Sequence, residues 1–228
     1  MSYPAVRPVR PAGYRVVGGP AIAFLSAACV AAAPAAPAPL HAQAGEVVLG
    51  DKTTEWLVAS AALAAPPELR DGAEVRGWTA DDHLVTLREG SNGIICLADR
   101  PGDDRFSAAC YHESLEPFME RGRELNREGI RGVARNERRW AEIEAGELPM
   151  PVMGMVYNLS FPGEDFDPAT TDPATGGRLH AIYIPNATQA STGLPVQPGP
   201  EPWLMSPGTP SAHVMIGLPA KPADEGGG

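Results

Sequence analysis

The chain has 228 residues, with 18 basic and 28 acidic side chains and a formal charge of −10. That balance argues against nucleic acid and anionic membrane surfaces as partners, because both are recognised through a basic footprint. Only 20% of residues are charged and 43% are hydrophobic, which suits a chain able to bury an ordinary core.

The first segment reads as an address rather than as fold. Arg7, Arg10 and Arg15 precede an apolar run from Val16 to Ala33, and Ala42-Gln43-Ala44 matches a small-residue cleavage site. Residues 1–44 are therefore expected to be a signal peptide, with Gly45 the mature N-terminus. Gly18, Gly19 and Pro20 interrupt the apolar run, which leaves it short for a membrane anchor. Removing this leader leaves 15 basic and 28 acidic residues, a net charge of −13. No later apolar run approaches membrane length, so the expected product is exported, periplasmic or secreted, and free of the membrane after cleavage.

Cys96 and Cys110 then form an even pair in an oxidising compartment, and a structural disulfide is the expected state. The loop it closes, of about 15 residues, corresponds to about 3 kcal/mol in the chain-entropy model.

In chain order, Asp51 is placed to cap a helix over Thr54 to Ala64 that Pro66-Pro67 stops. Glu68 to Gly72 reads as a turn and Glu74 to Trp78 as a short strand. Leu84 to Arg88 and Ile94 to Ala98 are β-rich runs separated by Glu-Gly-Ser-Asn-Gly, which predicts a hairpin. Asp99 to Arg105 is a charged loop that lets the chain return so that Cys110 reaches Cys96. Ser114 is the expected N-cap of a helix carrying Leu115, Phe118, Met119 and Leu125 at helical spacing. Gly129 and Gly132 end it, and a second helix from Val133 to Ala145 has Val133, Trp140 and Ile143 on one face.

Gly154 to Phe161, Arg178 to Ile184 and His213 to Leu218 read as strands. The first two are joined by a long polar loop, and residues 186–208 are Pro/Gly/Ser-rich and expected to be irregular. The tail from Pro219 to Gly228 is expected to be disordered. The expectation is an α+β fold in which residues 45–218 form a single domain. An antiparallel sheet from residues near 74–98, 154–161, 178–184 and 212–218 packs against the N-terminal helix and the helical hairpin, pinned by one disulfide.

Ala64-Ala65-Pro66-Pro67, the Gly90-Ser91-Asn92-Gly93 turn followed by Cys96-Leu97, the second cysteine Cys110 and the late His-bearing strand occur together. This combination resembles a group of exported bacterial proteins that has no assigned activity. The resemblance implies a shared fold and export. In that group a proline directly precedes the strand histidine, whereas here Leu179 precedes His180.

Two sets of residues are candidates for chemistry. His180 and His213 lie on late strands, and a metal site there would take Glu113 or Asp165 as a third ligand, although no HExxH-type spacing occurs. Tyr157, Asn158, His180, Tyr183 and Trp203 are candidates for a polar-aromatic pocket, but strand alternation puts Tyr183 opposite His180. His112, Glu113 and Glu116 permit acid–base work, yet no GxSxG nucleophile is present and the cysteines are committed. The function expected is thus a non-catalytic binding or accessory protein without a cofactor. Its partner would be a small molecule, or an envelope protein docked on residues 186–210. The alternative is a metal-dependent hydrolase using the late-strand histidines.

Overall fold

The computed structural model describes residues 45–100, 104–162 and 166–221. The expected signal peptide lies outside them. Helix α1 (Thr54–Ala62) is capped by Thr53 rather than Asp51, since the Thr53 hydroxyl accepts the Trp56 N–H at 3.1 Å. Where a turn was expected, Pro67–Arg70 forms a one-turn helix, α2, with proline at its start. The next strands are β1 (Glu74–Trp78), β2 (Leu84–Arg88), β3 (Ile94–Leu97) and β4 (Arg105–His112). A 3-10 turn, Glu113–Leu115, leads into α3 (Glu116–Arg127) and α4 (Gly132–Glu144). Then come β5 (Gly154–Pro162), β6 (Gly177–Tyr183), α5 (Gln189–Thr192), β7 (Trp203–Met205) and β8 (His213–Leu218).

All eight strands form one sheet in the order β2-β1-β3-β4-β5-β6-β8-β7. The sheet is mixed, not purely antiparallel, because β1 and β3 run parallel with Val75 opposite Cys96. The expected hairpin between Leu84–Arg88 and Ile94–Ala98 is therefore absent. Both strands form, but β1 lies between them. The turn expected to close that hairpin instead carries the chain over the start of β1. Ser91 N–H donates to the Gly72 carbonyl at 2.7 Å, and the Asn92 side chain donates to the Leu69 carbonyl at 2.7 Å. The crossing is so close that a Cβ on Gly90 would lie 2.5 Å from the Glu74 nitrogen, so only glycine fits there.

The return from Cys96 to Cys110 is not a loop throughout. It includes β4, a central strand whose outward and inward residues alternate along Arg-Phe-Ser-Ala-Ala-Cys. Cys96 and Cys110 sit directly opposite on β3 and β4, with a Cα–Cα distance of 4.0 Å, and they are disulfide-bonded. Both are fully buried.

Helices cover both faces of the sheet. On the first face α1 packs Leu57 and Ala61 against Val75, Cys96, Phe106, Cys110 and Leu159. The far end of this face is covered by residues 185–212, where Ala187, Leu204 and Ala212 pack with Val214. This segment, expected to be irregular, contains α5 and the edge strand β7. On the second face the α3–α4 hairpin lies over Ile95, Tyr111, Val156, Ala181 and Met215, with Leu115 as its buried anchor. Helix α4 is turned differently from expectation, and Val133 is 70% exposed. Of its residues only Arg139 is buried.

Pro219–Lys221, at the start of the tail expected to be disordered, is held: Lys221 N–H donates to the Ala174 carbonyl at 2.8 Å. The rest of the tail lies outside the described residues. Among the described residues no helix is long and apolar enough to cross a membrane.

Candidate functional site

The sheet separates the residues that the sequence nominates. In β6 and β8, Tyr183 is the partner of His213, and His180 is the partner of Ile216. Strand alternation therefore puts His180 on the α1 face and His213 on the hairpin face. One metal ion cannot take both. Asp165, a suggested third ligand, lies outside the described residues, and no group of three metal-ligating side chains occurs among those described.

Tyr157 and His180 meet edge to face, with ring centres 5.2 Å apart. They share a cleft of about 390 Å³ with Pro66, Pro67, Asp172 and Arg178. Asn158 and His213 belong to a different cavity on the other face. Trp203, on β7 beside Met215, packs into the cluster on that second face. The five-residue pocket does not assemble. His112 and Glu113 also part from Glu116: the His112 Nδ1 engages the Ser114 hydroxyl at 2.9 Å, whereas Glu116 enters an ion-pair network.

The cavity under the hairpin has the stronger chemistry. It measures about 370 Å³, within the range of small-molecule sites. Leu97, Val156, Ala181 and Met215 form its apolar floor and Met119 hangs over it from α3. Trp78 closes one side, while Tyr183 stacks on His213 with ring centres 4.7 Å apart. Among the described residues, the polar side chains lining it are Trp78, Tyr111, Arg123, Asn126, Arg135, Arg139, Asn158, Tyr183 and His213, with no carboxylate, serine, threonine or cysteine.

No protein-family model, curated protein or solved structure matches this chain. The chemistry of the cavity is therefore read from its own residues.

The arginines around it divide sharply. Arg123 is held by Glu116 and Glu120, each at 2.6 Å, and Arg127 by Glu120 at 3.0 Å. Arg121 engages Glu142 with two N–H groups, each at 2.8 Å, and so ties α3 to α4. Among the described residues, Arg135 and Arg139 have no such counterpart. Arg135 donates to Asn126 at 3.3 Å. Arg139 donates to the Phe118 carbonyl at 3.2 Å and to Asn136 at 2.8 Å, with its guanidinium 3.9 Å from the centre of the Phe118 ring. The Nε of each is buried with no acceptor. Burial, together with the charge of Arg135, brings the Arg139 pKa down to about 10, and Tyr183 opposes the shift.

Residue Gly122 explains how α3 accommodates this. A Cβ there would lie 2.9 Å from Arg139 Nη1, so the glycine, costly inside a helix, leaves room for the guanidinium. Sequence reasoning had one available signal for the site: Arg135 and Arg139 are spaced i,i+4, facing a glycine in the preceding helix.

Other groups are poorly suited to proton transfer. The Tyr111 hydroxyl donates to Glu116 at 2.6 Å, and burial with that carboxylate holds the phenol well above its usual range. His213 Nδ1 lies 2.7 Å from the Ser211 carbonyl, and the separate Ser211 side-chain hydroxyl accepts from Trp140 of α4 at 2.7 Å.

Burial holds the His213 pKa below the ordinary histidine value, and burial with Arg178 nearby does the same for His180. The unfolded chain therefore takes up protons near pH 6.5 that the folded chain refuses, so stability must fall as pH drops through that value. In urea titrations from about pH 7.5 to 5, the wild type is expected to lose stability, and a His180→Gln/His213→Gln variant to lose less. Equal slopes for the two proteins would contradict this.

Proposed function

We propose that this chain is an exported, non-catalytic binding protein that carries a small organic molecule beneath the α3–α4 hairpin. The observation that carries the reading is the cavity of about 370 Å³, whose apolar floor is met by a few convergent polar groups. The residues lining it offer hydrogen bonds, cations and aromatic faces, without a nucleophile or a carboxylate base. The leader over residues 1–44 and the buried disulfide are both compatible with an oxidising, extracytoplasmic compartment. The hydrolase alternative rested on His180 and His213 acting together, and their placement on opposite faces removes its motivation.

The test is native mass spectrometry of the full chain, expressed with its leader and purified from the periplasm without chelator. A small organic adduct is expected on the wild type. It should be lost in Ala109→Leu, which fills the cavity from the floor at a half-buried position. A wild type of bare polypeptide mass, or an adduct that survives Ala109→Leu, overturns the reading.

A further inference from the structure

The charge on the walls specifies the ligand further than its size does, and this step rests on the cavity being a binding site. Arg139 is only 7% exposed, and its Nε is buried without an acceptor. Burying a cation without a counter-charge is among the costlier arrangements in a folded protein. Here a second guanidinium, Arg135, stands one turn away on the same helix, and like charges at that spacing repel. Neither has an ion-pair partner among the described residues. Carboxylates are not scarce: the chain has 28 acidic residues, and glutamates neutralise Arg121, Arg123 and Arg127 on the facing helix. Two uncompensated cations at one cavity, in so acidic a protein, are a place kept for an anion that arrives from outside.

We propose that the cavity binds an organic carboxylate, its head group held by Arg135 and Arg139 and its apolar body lying on Leu97, Met119, Val156 and Met215. A guanidinium edge presents two parallel N–H groups that match the two oxygens of a carboxylate. Phosphate sites are built differently, from successive backbone N–H groups in a glycine-rich turn or at a helix start. Here the charge comes instead from two side chains, Arg135 in the first turn of α4 and Arg139 one turn on, and the surface opposite is aliphatic and aromatic. Such a surface suits the hydrocarbon or aryl part of an acid rather than a free inorganic ion. The acidic net charge slows the approach of any anion, so affinity must come from contacts inside the cavity rather than from steering.

The experiment is a titration of the full mature chain with octanoate and phenylacetate, their neutral counterparts octanol and 2-phenylethanol, and inorganic phosphate, followed by intrinsic tryptophan fluorescence and calorimetry. Saturable binding of at least one acid is expected, about tenfold or more tighter than its alcohol, with that preference lost in Arg135→Met and in Arg139→Met. Arg139→Met risks unfolding the hairpin, so the half-buried Arg135 is the primary variant, with circular dichroism confirming its fold. Alcohols binding as tightly as acids, with no effect of either substitution, would sink the carboxylate assignment and leave the binding reading standing. Phosphate binding as tightly as the acids would do the same. No binding of any probe at millimolar concentration overturns the carboxylate proposal, and a bare native mass alongside it takes the binding reading down too.

Discussion

Replacing Cys96 and Cys110 by alanine should lower the stability of the protein by about 3–5 kcal/mol relative to the oxidised wild type. Two effects combine. The unfolded chain regains the freedom of a loop closed between residues 14 apart, worth about 3 kcal/mol in the entropy model. The folded chain also loses two fully buried sulfur atoms from between α1 and the sheet, where Leu57, Ala61, Val75 and Leu159 surround them. The bond joins β3, which pairs in parallel with β1, to its antiparallel neighbour β4, so its loss falls on the middle of the sheet rather than on an edge. For a folded part of this size the shift corresponds to a melting temperature lower by about 10 °C. An unchanged melting temperature after the double substitution would show that the ladder between β3 and β4 suffices alone.

The Glu116→Gln variant should cost about 2–4 kcal/mol and loosen the helical hairpin first. One Glu116 oxygen accepts from both Arg76 on β1 and Arg123 on α3, and the other accepts the Tyr111 hydroxyl of β4. A single carboxylate thus joins the sheet to the start of the hairpin. The Arg123 side chain is 10% exposed, so its charge is poorly served by water once the carboxylate is gone. A glutamine has the same shape but no charge, and its amide presents a donor where an acceptor is needed. Amide exchange should accelerate in α3 before it does in β4 and β5. The Tyr111 phenol should also titrate at lower pH than in the wild type, since the carboxylate that raises its pKa is removed while Arg123 remains. Wild-type stability with an unmoved Tyr111 titration would mean that the network contributes little.

The two cavities account for the fate of the residues that the sequence nominates. Asn158, Tyr183 and His213 do reach the hairpin cavity, and Tyr157 and His180 reach the cleft on the opposite face. Alternation along β6 already put Tyr183 on the face opposite His180, but it did not separate His180 on β6 from His213 on β8. The two arginines that define the chemistry were hidden for a different reason. A helix reading Gly-Val-Ala-Arg-Asn-Glu-Arg-Arg-Trp presents its charges as a solvated surface until the helix is docked. Its apolar Val133 marks the wrong side, because α4 turns outward there and inward at Arg139.

By itself the sequence determined what depends on neighbours along the chain. Strand residues 74–78, 84–88 and 213–218 follow from short apolar or β-rich runs, and the pairing of Cys96 with Cys110 follows from their being the two cysteines after residue 44. The turn at Gly90-Ser91-Asn92-Gly93 was legible as a reversal, since its residue types tolerate it. Only the tertiary structure decided where that reversal leads. It crosses β1 and sets β3 parallel to it, a choice governed by contacts with Leu69, Gly72 and Glu74 rather than by the turn's own preferences. It also decided that Arg123 meets glutamates while Arg135 and Arg139 meet none. Whether a charge is neutralised in the fold depends on which helix packs above which strand, and that is fixed by burial across distant segments.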